Sequence, residues 1–195
     1  MQLEDLRRNF PPDVDVPLPL QRLLAYQNRV HDFYSGSFEL YDQGAMAVLY
    51  WFDQDKLAAN QFAIFGHQKD GSLYGYWLYN DRLSEHAPIV FLGSEGEGNV
   101  VLANTFEEFL ALLALGEDEL GFAVTKPEYD TGRTIDQQLF EFGEWLVKEF
   151  RIEAPSDSNL IVQAAKSAHP DLDQWIAQWA DKRYGSNEHT NLSPS

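Results

Sequence analysis

Asp53-Gln54-Asp55 is the spacing that first suggests chemistry, because two carboxylates one residue apart can share a hard cation. The calcium-loop continuation is missing, since no glycine stands at position 58. The histidines are His31, His67, His86, His169 and His189. No two of them share an i, i+4 helical face, and no His-Glu-x-x-His is present. Cysteine is absent, which removes disulfides, thiolate nucleophiles and Cys-based metal sites. The sequence therefore implies no metal and no organic cofactor.

Nucleophile motifs fail on context. There is no Gly-x-Ser-x-Gly, and Ser72 and Ser94 sit beside glycines, where turns favour serine anyway. The glycine cluster 93–98 lacks the lysine and the frame of a phosphate loop, and Glu95 and Glu97 would repel phosphate. A carboxylate pair for general acid–base work remains open in a chain with 31 acids, but nothing singles one pair out. The expectation is a protein with no catalytic residues.

Charge is the strongest bulk signal. The net formal charge is −17, which disfavours direct binding to nucleic acid or to anionic membrane and attracts a basic protein partner. Acidity for solubility alone is the competing reading. The candidate partner-binding residues are Asp53, Asp55, Asp70, Glu95 and Glu97, because they fall in turns between expected strands, where a rigid scaffold presents recognition groups. Successive turns of a meander alternate between its two ends, so the five need not share a surface. Each has an ordinary alternative as a solvated turn residue.

The elements that would position these groups are legible in outline. Residues 1–17 read as an irregular arm, since Pro11-Pro12, Pro17 and Pro19 block helix and central strand alike. Leu20, Leu23, Leu24, Gln27 and Val30 predict a helix near 19–32. Ser37–Tyr41 alternates like a strand, and the apolar run Met46–Phe52 also reads as β-type. Residues 53–60 suit a loop or a helical turn. Gln61–Gly66, Ser72–Tyr79, Pro88–Leu92 and Asn99–Ala103 complete a meander, with Asp70-Gly71 and the 93–98 glycines as its turns. Both faces of 72–79 are apolar or aromatic, which predicts a central strand with core as the favoured place for Tyr74, Tyr76, Trp77 and Tyr79.

Thr105-Phe106-Glu107-Glu108 predicts a capping box, with Glu108 reaching back to the Thr105 amide and Gly116 ending the helix. Helical periodicity returns over 135–150, 157–168 and 171–184. The expected fold is α+β, an antiparallel meander sheet flanked by helices, with a C-terminal helical extension. The expected divisions are an arm at 1–17, an α+β core at 18–116, an extension packed on that core at 117–184 and a dispensable polar tail at 185–195. Met1–Phe10 has no apolar signal region, and no run approaches the roughly 20 apolar residues that span a bilayer. The expected location is the cytoplasm.

Residues 62–115 allow more. Phe62-Ala63-Ile64-Phe65-Gly66 is followed by Asp70-Gly71-Ser72, the aromatic strand and Ala87-Pro88-Ile89-Val90-Phe91-Leu92. Then come Gly96-Glu97-Gly98 and Thr105-Phe106-Glu107-Glu108-Phe109-Leu110. This order resembles the SUKH (Smi/Knr-like) superfamily of bacterial immunity proteins and fungal cell-wall regulators. Leu18-Pro19 and Ser35-Gly36 resemble its N-terminal half, so the likeness covers roughly 18–116. One turn glycine is displaced, because Leu73 and Tyr74 precede Gly75. The helices after Gly116 run beyond a minimal family domain.

The resemblance implies a non-enzymatic protein binder that neutralises a basic toxin, such as a nuclease. It transfers no residue as catalytic. Two other functions stay open: a regulatory or scaffolding protein that binds a cellular partner, and a hydrolase built on unrecognised carboxylates.

Overall fold

The computed structural model describes residues 1–12, 14–30, 33–81, 87–125 and 137–185. The strands β1 (Glu39–Leu40), β2 (Phe62–His67), β3 (Leu73–Trp77), β4 (Ile89–Leu92) and β5 (Val100–Ala103) form one sheet. Every neighbour pair is antiparallel and spatial order equals chain order, so the sheet is a meander with β3 at its centre. The expected α+β class holds. The helices are α1 (Leu3–Arg7), α2 (Leu18–Val30), α3 (Gly44–Trp51), α4 (Lys56–Ala59) and α5 (Phe106–Leu113). After them come α6 (Leu120–Thr125), α7 (Gln137–Phe150), α8 (Ser158–Ala168) and α9 (Leu172–Tyr184). Among the described residues, no helix is long and apolar enough to cross a membrane.

Every residue of β3, β4 and β5 is buried, because helices cover both faces of the sheet. Side chains alternate along a strand, so β3 sends Tyr74 and Tyr76 to one side and Leu73 and Trp77 to the other. On the first side Phe65, Tyr74 and Phe91 pack with Leu20 and Leu23 of α2, Phe109 of α5 and Phe142 of α7. On the second side Phe62, Trp77 and Val101 pack with Val48 of α3, Ala58 and Ala59 of α4 and Leu172 of α9. Tyr79, just beyond β3, joins this second core, so all four aromatics of 74–79 are core.

The C-terminal helices complete this three-layer arrangement. Helix α8 lies along β5, with Val162 in the first core and Ala165 in the second. That placement covers a sheet edge that would otherwise offer unpaired backbone groups. Helix α9 then lays Trp175 against Phe52, Phe62 and Trp77, with ring centroids 5.9, 5.6 and 5.8 Å apart. Between the two helices, the His169 ring bonds the Tyr79 hydroxyl at 2.8 Å through Nδ1 and Asn104 Oδ1 at 3.1 Å through Nε2.

Four local expectations are corrected. The run Met46–Phe52 is not a strand; Gly44–Trp51 is a helix. That helix carries no charged residue, so its sequence shows no polar face from which a 3.6-residue period could be read. The arm is not irregular throughout, since Leu3–Arg7 forms a helical turn that buries Leu6. The strand expected over 37–41 shrinks to the two residues of β1.

The helix α5 cap is the fourth. Thr105 Oγ1 accepts the Glu108 amide at 3.1 Å as expected, but Glu108 accepts the amide of Asn104 at 2.7 Å, not that of Thr105. Gly116 takes a φ of +68° past the end of α5, and a Cβ there would stand 2.3 Å from Leu139. The tail from 186 onward lies outside the described residues.

Candidate functional site

The β2–β3 and β4–β5 turns lie side by side at one end of the sheet. Asp70 closes the first turn by accepting the Ser72 amide at 2.8 Å and the Ser72 hydroxyl at 2.9 Å. Ser72 Oγ in turn accepts the Ser94 amide at 3.2 Å, which stitches the turns together. The second turn is braced by the buried Asn99, whose Oδ1 accepts the Gly93 amide at 3.1 Å and whose Nδ2 donates to the Gly96 carbonyl at 2.9 Å. Gly93 is required there, because a Cβ would meet the Glu97 carbonyl oxygen at 1.9 Å. Glu95 and Glu97 stand exposed on this fixed turn.

A third segment joins them. Gln68 Nε2 donates to the Asp118 carbonyl at 3.1 Å, and the Ser37 hydroxyl donates to the same oxygen. Asp118 and Glu119, both exposed, therefore extend the acidic surface begun by Asp70, Glu95 and Glu97. The buried Tyr74 hydroxyl senses that surface. Desolvation is the main reason its pKa rises well above 10; the Gly121 backbone opposes the rise, and the Asp70 and Glu119 carboxylates add to it. Lys69, next in sequence to Asp70, holds its Nζ 4.3 Å from the centre of the Phe33 ring.

Asp53 and Asp55 are not part of this group; both bond to α9, and Asp55 also caps α4. Asp53 and Gln54 adopt left-handed φ values of +47° and +62°, and the Gln54 amide returns to the Leu49 carbonyl at 2.8 Å, which ends α3. Asp55 then starts α4 by accepting the Leu57 and Ala58 amides at 2.9 and 3.3 Å. The acid-x-acid spacing is thus a helix stop followed by a helix start. Trp179 Nε1 donates to Asp55 Oδ2 at 2.9 Å, and Arg183 donates to the Asp53 carbonyl at 2.8 Å. The Arg183–Asp53 ion pair at 3.4 Å is solvent-exposed and contributes at most about 1 kcal/mol, so aromatic packing dominates the docking.

Replacing Asp55 with Ala should cost about 1–2 kcal/mol in a urea melt, through the lost N-cap and the freed indole N–H. A loss under about 0.3 kcal/mol would contradict this anchoring role. The Trp179 bond is the main cause that holds the Asp55 carboxyl below its ordinary pKa of 3.8. Burial is the next largest influence and opposes it, and the Ala58 and Leu57 amides and Arg183 reinforce it. A lowered pKa means that the charged form favours the fold. That stability is fully present above 3.8 and is lost as pH falls through the lower folded value.

Among the described residues, no three His, Asp or Glu side chains are grouped to hold a metal ion. His67 stacks on Tyr41 at 4.3 Å and lies 3.7 Å from Glu39, while His169 is held by Tyr79 and Asn104. His31, His86 and His189 lie outside the described residues. Sequence reasoning missed Asp118 and Glu119, although the acidic run Glu117-Asp118-Glu119 after Gly116 was the available signal. No family model matches this chain, and neither a curated protein nor a solved structure matches it.

Proposed function

We propose that this chain is a non-enzymatic binding module that docks a basic protein on the acidic end of its sheet, in the manner of the SUKH immunity proteins it resembles. The observation that carries the reading is the convergence of Asp70, Glu95, Glu97, Asp118 and Glu119 on turns fixed by Ser72, Ser94, Asn99 and Gln68. Rigid turns limit the entropy lost on binding. Exposed like charges that the fold holds together raise the local negative potential, which speeds encounter with a cationic partner. The partner this surface suits is a basic toxin domain such as a nuclease, met in the cytoplasm.

Affinity capture from the source cells tests the reading. The wild-type chain is expected to retain a basic protein that a Glu95→Gln, Glu97→Gln, Asp118→Asn, Glu119→Gln variant does not. Equal capture by both would contradict it. These residues are exposed, so the variant should keep its stability to within about 0.5 kcal/mol per site.

A further inference from the structure

The acidic turns do not stand alone at their end of the sheet. There His67 of β2 pairs with Leu73 of β3, and Leu73 with Leu92 of β4, so the three strands enter the turns side by side. Helix α3 packs on β2 from the second face. Two aromatic side chains tie it to the turns. Trp51 Nε1 donates to the Gly93 carbonyl at 2.9 Å, the same oxygen that accepts the Gly96 amide at 3.0 Å inside the β4–β5 turn. Tyr41, three residues before α3, stacks on His67 with ring centroids 4.3 Å apart.

Helical spacing decides which flank of α3 faces the turns. Ala45 and Leu49, four apart, lie on the flank turned to Pro11 and Val14 of the arm. Ala47 and Trp51, also four apart, lie on the other flank, and the Trp51 bond sets that flank toward Glu95 and Glu97. Between the flanks Met46 and Tyr50 project into solvent, 56% and 67% exposed. The helix carries no charge, so Met46, Ala47, Tyr50 and the half-buried Trp51 form one uncharged strip that runs up to the acidic turns. Acids also flank its other side: Asp42 is exposed next to Tyr41, and Glu39 lies 3.7 Å from His67. Aromatic and Met side chains inside a charged rim are the anatomy of a docking surface. A tyrosine left this exposed adds little to folding, yet offers a rigid amphipathic anchor at low entropy cost.

We infer that the basic partner of the acidic end also seats an apolar side chain on the Met46–Tyr50 strip of α3, so that the face it presents is an apolar centre ringed by Lys and Arg. The inference rests on the docking proposed above and divides the work of that surface. The acidic turns steer encounter and govern the association rate, while the strip governs how long the complex lasts.

The test pans a phage-displayed random peptide library against the full chain, then measures association and dissociation of the enriched peptides by surface plasmon resonance. Enriched peptides should set Lys or Arg beside aromatic or aliphatic residues. Tyr50→Ala should speed their dissociation at least about tenfold and leave the association rate and its salt dependence unchanged. Met46→Ala should act in the same direction, and the Glu95→Gln, Glu97→Gln variant should slow association. Leu57→Ala removes a side chain that is 82% exposed on the arm's flank, and it should change neither rate, which separates the strip from general stickiness. All these side chains are exposed, and an unchanged thermal midpoint shows that the variants fold. Basic peptides without apolar residues, or wild-type dissociation from folded Tyr50→Ala while the Glu95→Gln, Glu97→Gln variant still slows association, would overturn this inference and leave the acidic end in place. No enrichment of basic peptides, or association indifferent to the Glu95→Gln, Glu97→Gln variant, would overturn the docking reading and this inference with it.

Discussion

Replacing Phe109 with Ala should lower the free energy of unfolding by about 3–5 kcal/mol. The ring is fully buried, with centroids 5.7 Å from Phe38, 5.5 Å from Phe65, 5.4 Å from Tyr74 and 5.8 Å from Phe106. Four aromatic neighbours cannot all collapse into the space that one ring leaves, so the residual cavity adds to the lost transfer energy. Whole-domain stability is about 5–15 kcal/mol, so the variant should sit near the edge of folding. Urea melts of both proteins measure the difference, and a loss under 1 kcal/mol would contradict the placement of α5 on the sheet.

Ending the chain at His169 should be at least as damaging. It removes Leu172, Trp175, Ile176 and Trp179, which belong to or pack against the second core. Each large aromatic buries about 150–250 Å² when fully covered, and apolar area is worth about 25 cal/mol per Å², so two tryptophans and two aliphatic residues supply about 10–18 kcal/mol if fully buried. Partial exposure of Trp175 and Trp179 brings the expected loss nearer 5 kcal/mol, about the stability of a marginal domain. The truncated chain should bind a hydrophobic dye and lose its cooperative melt. A cooperative melt within a few degrees of the full-length midpoint would show that α9 is an accessory rather than part of the fold.

The sheet was largely legible because its strands are short apolar runs between strong turn signals. Asp70-Gly71 and the glycines of 93–98 punctuate the sequence where the chain reverses. Helix α3 was not legible, since Gly44–Trp51 is apolar on every side and period alone cannot separate a buried strand from such a helix. The acid-x-acid pair misled for a different reason. Its partners, Trp179 and Arg183, lie 124 and 130 residues away, and spacing within three residues says nothing about them.

Of the five acidic residues marked in the sequence, three converge and two serve the fold. Meander geometry explains the convergence: β2–β3 and β4–β5 are alternate turns and so fall at the same end, where Ser94 and Ser72 join them. Asp118 and Glu119 reach that end through Gln68, a contact 50 residues apart in sequence.

The most direct measurement is the association rate of the captured basic protein as a function of ionic strength, for wild type and for the Glu95→Gln, Glu97→Gln variant. Charge steering predicts a wild-type rate that falls steeply as salt rises toward physiological strength, where the screening length is about 8 Å. The variant should associate more slowly at low salt and depend less on salt. A wild-type rate indifferent to salt, or a variant with the same salt dependence as wild type, would contradict the acidic end as the docking surface.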